Sequence, residues 1–263
     1  AGVRPSCATH RGSSASMFFI ASIIGIPSIL ACVYWWYRSF LVPNTQRPTI
    51  ACDMDEVLCD FLGALVAWHN ATYGTTLSKS DFKSYQFHET WGGTLAEGVE
   101  KVHAFFQTPY FAQIEPVPGA VEAMAELKSR ANLVVVTSRQ HVIAQHTIDW
   151  LGRYYPGVFS EVLFGNHYSQ SNPDPTALDA SKRSKLDMCK AAGAVALVDD
   201  NVSYCVQCAG GLEKVVLFGA YGWNARPPAL PRNVVRAADW REALGRLHTL
   251  LDGLEEKQAM LLG

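Results

Sequence analysis

Residues 49–57 read Thr-Ile-Ala-Cys-Asp-Met-Asp-Glu-Val, a short β-prone run that ends abruptly in acids. Four later runs of the same character, 133–136, 161–164, 195–198 and 214–218, are spaced by amphipathic stretches at 120–130, 142–154, 185–192 and 202–209. Apolar runs that alternate with helical periodicity predict a parallel sheet with helices on both faces. The fold class expected is therefore α/β: a doubly wound, Rossmann-like core of five parallel strands. The gap between the first two runs holds about 80 residues where a single crossover helix would suffice, so it must fold as an insertion. Helical patterns at 61–73 and 95–107 flank a Trp- and Tyr-rich middle, and Pro109, Pro116, Pro118 and Gly119 mark the return to the sheet. A small helical cap over the carboxyl end of the first strand is the expectation.

In an open α/β sheet a ligand lies beyond the carboxyl ends of the strands, so the residues that follow each run carry the functional reading. Period-two alternation after the first run points Asp53 and Asp55 the same way, with Met54 opposed. Two carboxylates at that range repel, which raises one pKa or demands a hard, oxygen-ligated cation such as Mg²⁺. The second run ends in Thr137-Ser138-Arg139, hydroxyls and backbone N–H groups at a helix start that suit a phosphate, although such residues also serve as plain helix caps. The fourth ends in Asp199-Asp200-Asn201, a second acidic pair at the same rim. Lys182, Arg183 and Lys185 open the preceding helix and bring cationic side chains within reach.

This ordered set resembles the haloacid dehalogenase (HAD) superfamily, whose phosphatases carry a DxD nucleophile, a Thr or Ser after the second strand, a later Lys and an acidic pair after the fourth. Within it, DMDEVLCDFLGALVAWHNATYG (53–74), SDFKSYQFHETWGG (80–93), the PYF and PVPGAVEAM segments and KLDMCKAAGAVALVDDN (185–201) look like the 5′(3′)-deoxyribonucleotidase group. The resemblance implies that Asp53 is a nucleophile forming an aspartyl-phosphate and that Asp55 is the acid/base. It implies Mg²⁺ held by the Asp53 carboxylate, the Asp55 backbone carbonyl and Asp200, with Asp199 close by. Thr137 and Ser138 would hold phosphoryl oxygens, and Lys185, preferred to Lys182, would stabilise their charge. Phe61 matches a position where an aromatic packs on a nucleobase, and Arg139 is a candidate contact to base or phosphate.

The substrate expected is a small phosphomonoester, a nucleoside monophosphate first and another metabolite such as a sugar phosphate second. A tethered, non-catalytic protein of the same fold is the reading from outside the enzyme class. Tyr85, Phe87 and Trp91 either complete a slot for a base or form the cap's own core. His88 and His141 read as solvated loop residues, while Asn166, His167 and the Tyr221-Gly222-Trp223-Asn224 turn follow the family pattern without a role that the residues themselves suggest.

The 263 residues carry a net charge of −2, which offers no basic footprint for a nucleic-acid polymer. Residues 1–48 contain four arginines and no acid, leaving 18 basic against 24 acidic residues, a balance of −6, in the remainder. Within that leader, residues 18–37, FFIASIIGIPSILACVYWWY, are uncharged over about one bilayer thickness of helix. The aromatic cluster before Arg38 favours a retained membrane anchor; a removable targeting segment is the other reading. The expected organisation is thus a leader and linker over 1–48, a core over 49–60 and 116–236, a cap over 61–115, and an amphipathic helix over 237–263 packed on the core. Seven cysteines, an odd number without regular spacing, suggest a reducing compartment, with Cys205 and Cys208 as core residues.

Overall fold

The computed structural model describes residues 47–167 and 182–262. Its sheet runs β3-β2-β1-β4-β5-β6, built from β1 (Thr49–Cys52), β2 (Asn132–Thr137), β3 (Glu161–Phe164), β4 (Ala194–Asp199), β5 (Lys214–Phe218) and β6 (Val234–Ala237). Every pairing is parallel. Parallel strands buried on both faces need apolar residues at consecutive positions, which is why these runs read as nearly unbroken Val, Leu and Ala. The pleat then divides them. Ile50, Cys52, Leu133, Val135, Ala196 and Val198 pack on one side, and Ala51, Val134, Val136, Leu163, Leu197 and Val215 on the other.

Helices cover both faces. On the first lie α1 (Phe61–Tyr73), α5 (Ala120–Leu127), α6 (Ala144–Tyr154) and α9 (Trp240–Leu262), through residues such as Leu65, Met124, Trp150 and Leu247. On the second lie α7 (Lys185–Ala191) and α8 (Val202–Ala209), through Met188, Cys189, Cys205 and Cys208. This is a doubly wound α/β fold. The sheet has six strands where five were expected. β6 is a four-residue edge strand with a single neighbour, preceded by the proline-bearing stretch 227–231, and a run that short carries little periodicity. In consequence Ala237 closes a strand, and the C-terminal helix begins three residues later than its expected boundary.

Between β1 and β2 the chain builds α1, a 3₁₀ turn at Lys79–Asp81, α2 (His88–Trp91), α3 (Leu95–Phe105) and α4 (Pro109–Ala112). Asp60 caps α1 by accepting from Gly63 N at 3.0 Å, and Gly74, at φ 66°, ends it in the left-handed conformation that a side chain disfavours. Thr94 and Glu97 form a reciprocal capping box that starts α3. The outgoing and returning segments lie side by side: Asp60 N donates to Glu115 O at 2.9 Å and Val117 N to Leu58 O at 3.0 Å. The start of α9 is fastened to the same place, with the buried Trp240 donating from Nε1 to Val57 O at 2.8 Å.

Among the described residues no helix is long and apolar enough to cross a membrane. The stretch at 18–37 read as a membrane span or targeting segment lies outside the described residues. All five cysteines that are described, Cys52, Cys59, Cys189, Cys205 and Cys208, are buried and form no disulfide.

Candidate active site

The strand order reverses at β1, whose neighbours are β2 and β4, and a crevice opens beyond the carboxyl ends of such strands. The register pairs Cys52 with Val198, and Asp53 N donates to Val198 O at 2.9 Å, so Asp53 and Asp199 leave the sheet side by side. Asp53, Asp199 and Asp200 are all buried and offer three ligand oxygens within 4.8 Å of one another. Lys185, the first residue of α7, is wholly buried between them. Its Nζ lies 2.5 Å from Asp53 Oδ1 and 2.7 Å from Asp199 Oδ2. Burial alone would strip its proton, but the two carboxylates hold the ammonium charged and its pKa well above the ordinary lysine value.

One ammonium does not balance three carboxylates. Burial pushes Asp53 up to about 7, against the pull of Lys185, and pushes Asp200 well above the carboxylate range, with Asp199 and Asp53 adding to it. A buried cluster of hard oxygen donors in excess of its cations fits a divalent ion such as Mg²⁺. Asp200 is held from two directions. Its Oδ2 accepts from Tyr85 Oη at 2.9 Å and from Trp223 Nε1 at 2.8 Å, while its carbonyl accepts from Asn224 Nδ2 at 2.8 Å.

Asp55 faces a different partner. Arg139, buried at the end of β2, places Nη2 2.7 Å from Asp55 Oδ1 and donates from Nε to both carboxylate oxygens at 3.1 Å. Its Nη1 donates to Thr147 Oγ1 at 2.9 Å. The Asp55 side chain keeps 31% of its surface exposed, toward the cavity. Arg139, a candidate contact to base or phosphate, lines the cavity and gives hydrogen bonds to Asp55, Thr147 and Cys59, partners that only tertiary folding brings within reach. Thr137 and Ser138 also divide. Thr137 is fully buried, with Oγ1 accepting from Arg139 N at 3.2 Å, whereas Ser138 lines the cavity with an Oγ that has no protein partner.

The loop beyond β3 supplies roles for Asn166 and His167. Gly165, Asn166 and His167 donate their N–H groups to the carbonyls of Thr137, Arg139 and Ser138 at 2.7, 3.2 and 3.1 Å, so this loop grips the phosphate-binding candidates from behind. Asn166, in the left-handed region at φ 54°, also accepts from His141 N at 3.1 Å. His167 Nε2 lies 2.9 Å from Arg183 O, a carbonyl that can only accept, so Nε2 carries the hydrogen and Nδ1 accepts from Tyr204 Oη at 2.8 Å. Burial lowers its pKa in keeping with that neutral state.

Above the acids lies a cavity of about 180 Å³ that runs between core and cap. Its walls are mainly apolar, with Phe61, Phe87, Leu95, Val99, Val102 and Phe106 among them. The rings of Phe61 and Phe87 stand 6.5 Å apart and 23° from parallel. Of the three cap aromatics grouped in the sequence, Tyr85 and Phe87 both line the cavity, Tyr85 also donating to Asp200, while Trp91 packs on Phe87 at 5.5 Å and stacks on His69 at 4.7 Å within the cap. His88, read as a loop residue, begins α2 and lines the cavity, its Nδ1 buried without a partner. His141 stays exposed.

Glu56 was missed altogether. It lines the cavity at φ 62°, a conformation rare for any residue but glycine, and its side chain is buried. Oε1 accepts from Leu62 N at 2.6 Å, Oε2 lies 3.2 Å from Lys79 Nζ, and the carbonyl accepts from Tyr221 Oη at 2.7 Å. Burial pushes its carboxyl up to about 7, against the pull of Lys79 and Leu62. Four acids after one strand read as a polar turn, and no spacing rule marks one of them as a clasp.

A sequence model of the family described as 5′ nucleotidase, deoxy (Pyrimidine), cytosolic type C protein matches residues 47–183. No curated protein matches the chain. Among solved structures, Protein Tyrosine Kinase A of Mycobacterium tuberculosis is 21% identical at a TM-score of 0.52, covering 76% of this chain and 98% of its own. A haloacid dehalogenase-like family hydrolase from Streptococcus pneumoniae is 14% identical at 0.50, covering 77% and 99%. The HAD-hydrolase YfnB of Bacillus subtilis, solved bound to magnesium, is 12% identical at 0.51, covering 78% and 98%. At these identities the likeness is one of fold.

Proposed function

The chain belongs to the deoxy (pyrimidine) 5′ nucleotidase family and is a HAD-type phosphatase, and on that footing we propose that it hydrolyses nucleoside monophosphates through an aspartyl-phosphate, with Mg²⁺ as cofactor. The observation that carries this reading is the wholly buried Lys185 between Asp53 and Asp199, with Asp200 completing the acidic cluster at the foot of an apolar cavity. Asp53, Asp199 and Asp200 would hold the ion, with the Asp55 carbonyl as a further ligand. Bound there, Mg²⁺ supplies Lewis-acid polarisation of a phosphoryl oxygen and offsets the repulsion between anionic nucleophile and anionic substrate.

In this reading Asp53 attacks phosphorus as the bond to the leaving oxygen breaks, which splits one hard displacement into two easier ones. Lys185 already lies against Asp53 Oδ1 and so sits beside any phosphoryl group carried by that carboxylate. Ser138 Oγ, buried and unpaired, is a ready donor to a phosphoryl oxygen. Asp55, oriented by Arg139 and exposed toward the cavity, would take a proton from the water that cleaves the acyl-phosphate. In the first half the same carboxyl would give a proton to the leaving oxygen. A planar base then finds the faces of Phe61 and Phe87, whereas a sugar finds few partners for its hydroxyls on the same walls.

The test is release of inorganic phosphate from a panel of nucleoside monophosphates and sugar phosphates in Mg²⁺, with Asp53→Asn beside the native chain. Nucleotides are expected to lead, and Asp53→Asn to lose essentially all turnover. Equal release by Asp53→Asn removes the nucleophile, and preference for sugar phosphates removes the nucleotide reading. We also propose that residues 1–48 tether or target this domain. A tagged chain should change its location when they are deleted, and identical soluble behaviour with and without them ends that reading.

A further inference from the structure

We propose that Tyr85 is a positioning residue through which closure of the cap sets the geometry of the metal-binding carboxylates. The inference rests on the metal centre described above. Asp200 Oδ2 accepts two hydrogen bonds, and they come from opposite sides of the cleft: the phenol of Tyr85 from the cap at 2.9 Å, and the indole of Trp223 from the turn after β5 at 2.8 Å. The two rings lie against each other, with centroids 5.0 Å apart. Neither donor carries charge, so neither balances the buried acids. What the pair does is fix the rotation of the Asp200 carboxylate, holding one oxygen and thereby setting the direction of the other. Outer partners of this kind orient a ligand and sustain the affinity of the site.

The cap segment that bears Tyr85 is seated on the core by other contacts as well. Lys79 lies 3.2 Å from Glu56 Oε2 and 2.5 Å from Asp60 Oδ1, and Gly222 packs so close to the Phe82 carbonyl that a Cβ would overlap it. Of these contacts, that of Tyr85 is the one made to a carboxylate of the acidic cluster. Lifting the cap therefore removes one of the two donors on Asp200 and lowering it restores that donor. Linkage makes the coupling reciprocal: if closure strengthens the hold on an ion, the ion strengthens closure by the same factor. The cavity of this phosphatase is then completed and its carboxylates aligned in one movement.

The experiment titrates the full chain with Mg²⁺ alone, without nucleotide, by calorimetry, and follows amide hydrogen exchange in residues 79–91 with and without Mg²⁺. In the native chain Mg²⁺ should slow that exchange. Tyr85→Phe, which keeps the ring and its packing, should bind Mg²⁺ about 10–100-fold more weakly and lose most of the Mg²⁺-dependent slowing. Trp223→Phe removes the core's donor and should weaken Mg²⁺ binding while the remaining phenol still transmits some protection to the cap. Native affinity in Tyr85→Phe, or equal slowing in both chains, overturns the inference and leaves the phosphatase reading intact. Failure of the native chain to bind Mg²⁺ removes the metal centre and this inference with it.

Discussion

Lys185 lies at 0% exposure with a carboxylate on each side, which makes it the residue whose loss the cluster can least absorb. Replacing one partner of a buried ion pair leaves the other charge uncompensated, at a cost of about 3–5 kcal/mol. Lys185→Met should therefore lower the urea unfolding free energy by about that amount in EDTA. Mg²⁺ should restore part of the loss, since the ion compensates the same acids; an unfolding curve unmoved by the substitution contradicts the arrangement. At this scale much of the site was legible beforehand. Asp53, Asp55, Lys185, Asp199 and Asp200 follow strand ends or open a helix that leads into a strand, positions where sequence alone places a side chain at the rim. Arg139 and Tyr85 were seen without their carboxylate partners. Asp55 is 84 residues from Arg139, and Asp200 is 115 from Tyr85, so nothing local announces either contact. Glu56 was hidden by its company, one acid more in an acidic turn.

Among the elements, the segment from Lys79 to Trp91 governs how the cap meets the core. A Cβ at Gly222 would overlap the Phe82 carbonyl oxygen, a backbone atom that cannot turn aside. Gly222→Ala should therefore push this segment outward and displace both Tyr85 and Phe87. A misplacement of about 1 Å at a catalytic site can cost on the order of 100-fold in rate. The expected result is a fall of at least about tenfold in kcat/KM with the melting temperature changed by only a few degrees; unchanged kcat/KM would show that the contact is idle. The strands and most helices were legible from periodicity, because a strand with both faces buried has to be apolar throughout. β6 was not, since four residues at an edge carry no such requirement. The stripe Leu95, Val99, Val102 and Phe106 on and just beyond α3, at helical spacing, was in plain view and marks the cavity wall; reading it needs only the question of what lies opposite.

For the molecule as a whole, the buried acids make stability depend on pH. Asp53 and Glu56 are each pushed up to about 7 by burial, from ordinary values of 3.8 and 4.5. A carboxyl with a raised folded pKa binds its proton more tightly in the folded state, so stability falls as pH rises through that pKa. Burial lowers the pKa of His69 and His167, whose contribution is lost as pH falls below about 6.5 and so runs the other way there. Between pH 6.5 and 7.5 the carboxyls prevail, and the metal-free chain should lose on the order of 1 kcal/mol. Saturating Mg²⁺ should make the slope shallower, because the ion needs Asp53 ionised and leaves only Glu56 to lose its proton. Urea unfolding at the two pH values, in EDTA and in Mg²⁺, checks this; a slope as steep in Mg²⁺ as in EDTA contradicts it. The bond from Trp240 to Val57 has a different kind of reach. A nascent chain that has emerged from the ribosome only as far as Ala237 already contains the acids, the lysine and the cap, but not the indole that props the turn following Asp53. Synthesis thus delivers that prop after every residue that lines the cavity, so the site's support is completed only once translation has moved past Trp223.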